Sequence, residues 1–211
     1  MKLSATNLAA TFLLGLIPAA CHAQEFSADV VYLAINKPDA SSTGTGTSPR
    51  RSSKLYVSKD KIRLETNGIT GTILLADRTE HTAVALQPKK KAYQPLGSGP
   101  SEYFRVENVD DACPSWQSVA EQKIVCEKVG PEVVNGREAV KYQNKNTSQA
   151  ATAAVWVDKA LKFVIKWEAA GIGAELRNIK EEQQAADLFA VPSDYKIAAP
   201  QKATSKGFSK R

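Results

Sequence analysis

Few side chains in this chain could do covalent or metal chemistry. Among 211 residues there are two histidines, His22 and His81, and three cysteines, Cys21, Cys113 and Cys126. His81 opens an alternating run, His81 to Leu86, and reads there as a strand residue facing a neighbour. A serine nucleophile would have only that histidine to recruit, and no Gly-x-Ser-x-Gly turn is present to offer one. Cys113 and Cys126 lie thirteen positions apart, which in an exported chain points to a local disulfide and leaves no free thiol for catalysis. Without a Cys-x-x-Cys pair or a second histidine beyond the N-terminal segment, no metal site is expected. Acid pairs such as Asp110-Asp111 and Glu181-Glu182 sit beside turns, where solvation accounts for them. Hydrolysis by two carboxylates distant in sequence stays open as a minor alternative. The expectation is a protein that is not an enzyme and carries no cofactor.

The elements that would hold any site are short β-runs joined by tight polar turns. Lys54 to Val57 turns at Ser58-Lys59-Asp60 into Lys61 to Thr66, and Thr72 to Ala76 turns at Asp77-Arg78 into His81 to Leu86. The unit recurs later: Val133-Val134 turns at Asn135-Gly136 into Arg137 to Gln143, and Ala154 to Val157 turns at Asp158-Lys159 into Phe163 to Glu168. Ala174 to Lys180 closes the second series, and Phe26 to Ile35 reads as an opening strand that becomes buried on both sides. Pro114 to Ala120 has Trp116, Val119 and Ala120 at helical spacing behind an early proline, and Glu182 to Ala190 can form a short helix ended by Val191-Pro192. Such hairpins build an antiparallel sheet with one face that must be covered.

The ends carry separate messages. Met1-Lys2, the apolar run Leu8 to Ile17 and the small residues through Ala23 have the anatomy of a signal peptide, with cleavage expected between Ala23 and Gln24. Acylation of Cys21 after Ala19-Ala20 is the alternative and would leave a lipid anchor. No later stretch is long and apolar enough for a transmembrane helix. The net charge of +6 is mostly terminal: without Lys2 and the four basic residues of 201–211, the body is near +1. That balance argues for no nucleic-acid partner, and the tail reads as a basic disordered end. The domain scheme is thus 1–23 signal peptide, 24–200 one domain, 201–211 tail.

Several segments together resemble a known superfamily. Lys54-Leu55-Tyr56-Val57-Ser58-Lys59-Asp60-Lys61-Ile62-Arg63-Leu64-Glu65 is similar to the early hairpin of the bacterial outer-membrane lipoprotein carrier and sorting proteins, the LolA/LolB-like superfamily. Ala154-Val155-Trp156-Val157-Asp158-Lys159 with Phe163 to Glu168 resembles a later hairpin, and Asp187-Leu188-Phe189-Ala190-Val191-Pro192-Ser193-Asp194-Tyr195 its usual ending. The cysteine pair followed by Val133 to Arg137 looks closer to a secreted branch with one disulfide. The resemblance implies a mainly β fold of the α+β kind: a curved antiparallel sheet forming an incomplete barrel, with one or two short helices on its concave side. It also implies a periplasmic protein of a Gram-negative bacterium, an extracellular location being the alternative. No residue here is matched to the carriers' functional arginine; Arg63, between Lys61 and Glu65, is expected to face solvent.

Two functions follow as expectations. The first is binding of a lipid or a lipoprotein acyl chain in the concave face. Its lining candidates are Ile62, Leu64, Ile73, Leu75, Val84, Leu86, Trp156, Phe163, Ile165 and Trp167, with Trp116 either joining them or plugging the core. The second is an envelope protein partner docked on a sheet edge or apolar strip, with no small ligand.

Overall fold

The computed structural model describes residues 25–34, 53–66, 71–97, 104–119, 125–145, 153–169 and 171–198. Signal cleavage at Ala23 and Gln24, acylation at Cys21 and the 201–211 tail lie outside the described residues.

Twelve strands among the described residues join in one open, curved sheet. In chain order they are β1 Phe26–Ala34, β2 Ser53–Val57, β3 Lys61–Glu65, β4 Ile73–Asp77, β5 Thr82–Gln87, β6 Ala92–Gly97, β7 Cys126–Val134, β8 Arg137–Asn144, β9 Ala153–Asp158, β10 Phe163–Ala169, β11 Ile172–Glu181 and β12 Lys196–Ile197. Their spatial order is β12-β6-β5-β4-β3-β2-β1-β11-β10-β9-β8-β7. The two hairpin series therefore form two meanders, β2 to β6 and β7 to β11. β1 joins them by pairing with β2 on one side and β11 on the other. The expected mainly β fold and incomplete barrel are what the chain adopts.

Local sequence explains the turns. Asn135 and Gly136 both take positive φ, 50° and 80°, as a two-residue turn matched to the strand twist requires. The Asp77 carboxylate accepts the N–H groups of Thr79 and Glu80, and Asp158 accepts those of Ala160 and Leu161. Asp158 is almost fully buried, and Arg137 pairs with it there, which satisfies its charge. His81, read as a strand residue, instead ends the β4–β5 turn with φ 51°, exposed, a conformation that histidine tolerates better than most residues.

Helix is scarce. α1, Cys113–Val119, coincides with the expected short helix and begins at the cysteine that bridges to Cys126, with an S–S distance of 1.98 Å. Ala186–Phe189 makes only a 3-10 turn where a longer helix was expected from Glu182. The cause is tertiary: Glu182 N–H donates to the Glu25 carbonyl and Gln184 N–H to the Glu25 carboxylate, so 182–184 runs on beside the first strand. Two strands escape the hairpin pattern. β12 pairs in parallel with β6, and most of β7, from Cys126 to Glu132, has no alternation to announce it.

Candidate functional site

Directly paired residues of an antiparallel sheet project from the same face, so the register sorts the apolar side chains wherever the ladder is regular. Leu55 pairs with Leu64 and Val57 with Ile62; Ile62 then pairs with Ala76 and Leu64 with Leu74. In the other meander Tyr142 pairs with Val155, Val155 with Trp167, Trp167 with Ala174 and Ala174 with Tyr32. The curvature brings these two rows together, and between them lies an apolar cavity.

The cavity's lining consists of Val30, Tyr32, Leu55, Ile62, Leu64, Leu74, Ala76, Phe104, Phe163, Val164, Ile165, Trp167, Ala174 and Leu176, all aliphatic or aromatic. The free space inside it is about 170 Å³. Phe163 anchors the floor, with Phe26 edge-on at 5.1 Å and Phe104 stacked at 5.9 Å between ring centroids. Pairs of this kind contribute roughly 0.5–1.5 kcal/mol each beyond their burial. A β-bulge between Val164 and Lys166 lets Val164 and Ile165 both reach the lining.

Of the side chains expected to face inward, Ile62, Leu64, Phe163, Ile165 and Trp167 line the cavity. Ile73, Leu75, Val84 and Leu86 do not: Ile73 pairs with Glu65 and Leu86, and Leu75 with Arg63 and Val84, which places all four on the opposite face. Leu75 and Leu86 are nevertheless buried, and on that side the Ala186–Phe189 turn lies against β3. Arg63 fastens it, donating from Nη1 to the Leu188 carbonyl (2.8 Å) and from Nε to Glu65 (2.7 Å). Arg63 is thus a clamp under a cover and not the solvent-facing side chain its charged neighbours suggested.

Trp156 is likewise on the outer face, between Lys141 and Lys166 in register. Their ammonium groups stand 4.7 and 4.2 Å from its ring, and its Nε1–H donates to Glu132 at 2.6 Å. The bond from Trp156 holds the Glu132 carboxyl below the usual range, with Lys141 adding to the effect. Trp156 is buried within the same apolar cluster as Ala139, Ala154 and Ile165, with the two lysines over its ring.

Trp116 projects from α1 onto the concave face, edge-on to Tyr142 at 5.2 Å. The Tyr142 hydroxyl accepts from Ala112 N–H and donates to the Val109 carbonyl (2.6 Å), and burial pushes its titration upward. A second hollow of about 240 Å³ lies there, lined by Trp116, Cys126, Tyr142, Gln143, Asn144, Ala153 and Val155. Phe104 and Trp167 pack against both buried clusters, the one around Phe26 and Phe163 and the one around Trp116 and Tyr142.

Two causes account for much of the lining that sequence reasoning missed. Leu74 and Ala76 belong to the unbroken run Ile73-Leu74-Leu75-Ala76, where alternation cannot say which pair faces in; Val155 and Trp156 share that ambiguity. Val30 and Tyr32 were visible as an alternating pair in the first strand, but nothing local placed that strand between the two meanders.

No protein-family model and no curated protein matches the sequence. Solved structures do match. The chain is similar to an uncharacterized conserved protein from Thermus thermophilus, 10% identical with a TM-score of 0.51, over 83% of this chain and 90% of that one. It is similar to PNGF-II at a TM-score of 0.51 and 13% identity, where 82% of this chain covers 30% of the longer protein. A lipoprotein-sorting protein domain from Vibrio parahaemolyticus matches at a TM-score of 0.33 and 14% identity, over 79% and 89% of the two chains. At such identities the first two likenesses are of fold alone.

Proposed function

We propose that the protein is a non-enzymatic, exported cell-envelope protein that binds a hydrophobic ligand, a lipid or an acyl chain of a lipoprotein, in the concave face of its sheet. The observation that carries this reading is the apolar cavity between β2–β4 and β10–β11, to which no charged side chain among the described residues contributes. Its size bounds the ligand. Apolar cavities of about 150 Å³ hold a benzene-sized molecule, so a space of about 170 Å³ takes one ring or a short chain segment and not a whole multi-chain lipid. Tyr32, 38% exposed, marks where the cavity meets solvent. The Cys113–Cys126 bridge suits an oxidising compartment, in keeping with the signal-peptide reading.

The experiment is mass spectrometry of lipids carried by the purified mature protein, together with titration of a neutral hydrophobic probe. Retention of lipid, or saturable probe binding lost on filling the cavity, supports the reading; a protein that comes away lipid-free and binds no probe defeats it.

A second reading, a docking module for an envelope protein, draws on β7. This edge strand exposes Val129 (49%) and Val133 (71%). Its edge is interrupted, however, by a bulge before Gly130 and by Pro131, which has no N–H to offer an added strand. That makes strand addition the weaker case.

A further inference from the structure

Two arginines follow lining residues of the cavity, Arg78 after Ala76 and Arg105 after Phe104. Leu74 and Ala76 both line it, and the next position on that face is Arg78, where the ladder continues beyond β4 because Arg78 N–H donates to the Asp60 carbonyl at 2.8 Å. Arg78 Nε is buried and, among the described residues, has no hydrogen-bond partner. Leaving such a donor unsatisfied is costly, which is why a buried one without a partner calls for a reason. Arg105 approaches from the segment that follows the lining residue Phe104. Its guanidinium carbon stands 5.9 Å from the Phe163 ring, and Nη2 donates to the carbonyl of Ser58, in the same turn as Asp60. The two arginines are near enough that burial and Arg78 both press against the charge on Arg105, and Asp60 offsets only part of this.

We infer that this site binds the anionic head of an amphiphile, a carboxylate or a phosphate, whose apolar tail occupies the cavity. The inference rests on the hydrophobic-ligand reading above and narrows its ligand class. A guanidinium offers Nε and an Nη side by side, a fork that fits two oxygens of one anionic group, and Arg78 Nε is the donor left open for it. The anion would also relieve the repulsion between the two guanidinium groups.

The test compares three probes on the full mature chain at about pH 8, where a carboxylate is fully ionised: decanoic acid, decanol and inorganic phosphate. Decanoate is expected to bind at least about tenfold more tightly than decanol, the scale of one or two charge-assisted hydrogen bonds. In Arg78→Gln and Arg105→Gln this preference should shrink toward parity while the affinity for decanol holds, which also shows that the cavity is still folded. Arg78→Lys, which keeps the charge and loses the fork, should recover only part of the preference. Equal affinity of the two decyl probes, or a preference that survives both Gln variants, overturns the headgroup site and leaves the cavity reading standing. Tight binding of phosphate without any binding of decanol overturns the amphiphile and makes the pair a free-anion site. If neither decyl probe binds, the cavity reading itself falls.

Discussion

Replacing Ala76 with leucine should make the protein more stable and a worse binder, and that opposite pair of signs is diagnostic. Ala76 is buried, pairs with Ile62 and Ala83, and borders about 170 Å³ of space. Leucine adds three carbon atoms into that space. In the ligand-free protein they replace emptiness, and cavity filling of this kind contributes about 1 kcal/mol, a rise in Tm of roughly 2–4 °C for a domain of this size. A bound tail must give up the same room. Three displaced methylene equivalents at about 0.8 kcal/mol each cost it about 2.4 kcal/mol, close to a fiftyfold loss of affinity. The assay is a thermal melt beside a titration with a neutral fluorescent hydrophobic probe. Val84→Ala is the control, since Val84 pairs with Leu75 on the opposite face and its truncation should leave affinity unchanged. Higher stability with undiminished binding would show that the probe sits elsewhere. Lower stability would show that the space beside Ala76 is not open to three carbons, and the reasoning would fail at its first step.

Other expectations are simpler to check. Serine at both Cys113 and Cys126 opens a loop with a sequence separation of 13. The chain-entropy relation puts the loss near 3 kcal/mol, or about 6–12 °C in Tm; a melt unchanged by the double substitution would count against it. Gly136→Ala should cost about 1–2 kcal/mol through backbone conformation alone, because φ is +80° and nothing lies within 4 Å of an added Cβ. Chemical denaturation would measure it, and a neutral result would mean that the Asn135-Gly136 turn readjusts. Glu132, whose folded-state titration lies below the ordinary glutamate value of about 4.3, should contribute stability that is full above that pH and is lost as pH falls through the lower folded value. Acid unfolding should therefore lose part of its pH dependence in Trp156→Phe, which removes the indole donor, while probe binding stays as it was; a Trp156 variant that no longer binds would contradict its place on the outer face.

Much of the architecture was written locally. Asn135-Gly136, Asp77 and Asp158 each set a turn through their own backbone preferences and side-chain acceptors, so the hairpins needed no long-range information. The paired cysteines and the proline-led segment behind Cys113 likewise announced the bridge and α1. Clean alternation at Lys61–Glu65 marked Ile62 and Leu64 as inward side chains, and they are among the cavity's lining. Tertiary structure decided what periodicity could not. Where apolar residues run unbroken, as in Ile73-Leu74-Leu75-Ala76 and Ala154-Val155-Trp156-Val157, only the pairing register says which half faces in. It put Trp156 outside under two lysines and Leu75 on the face where Arg63 clamps the 186–189 turn. It also set β1 between two meanders remote in sequence and brought Arg78 near enough to Arg105 for their charges to interact. Each of these outcomes depends on curvature and on contacts between distant segments, and no short window of sequence contains either.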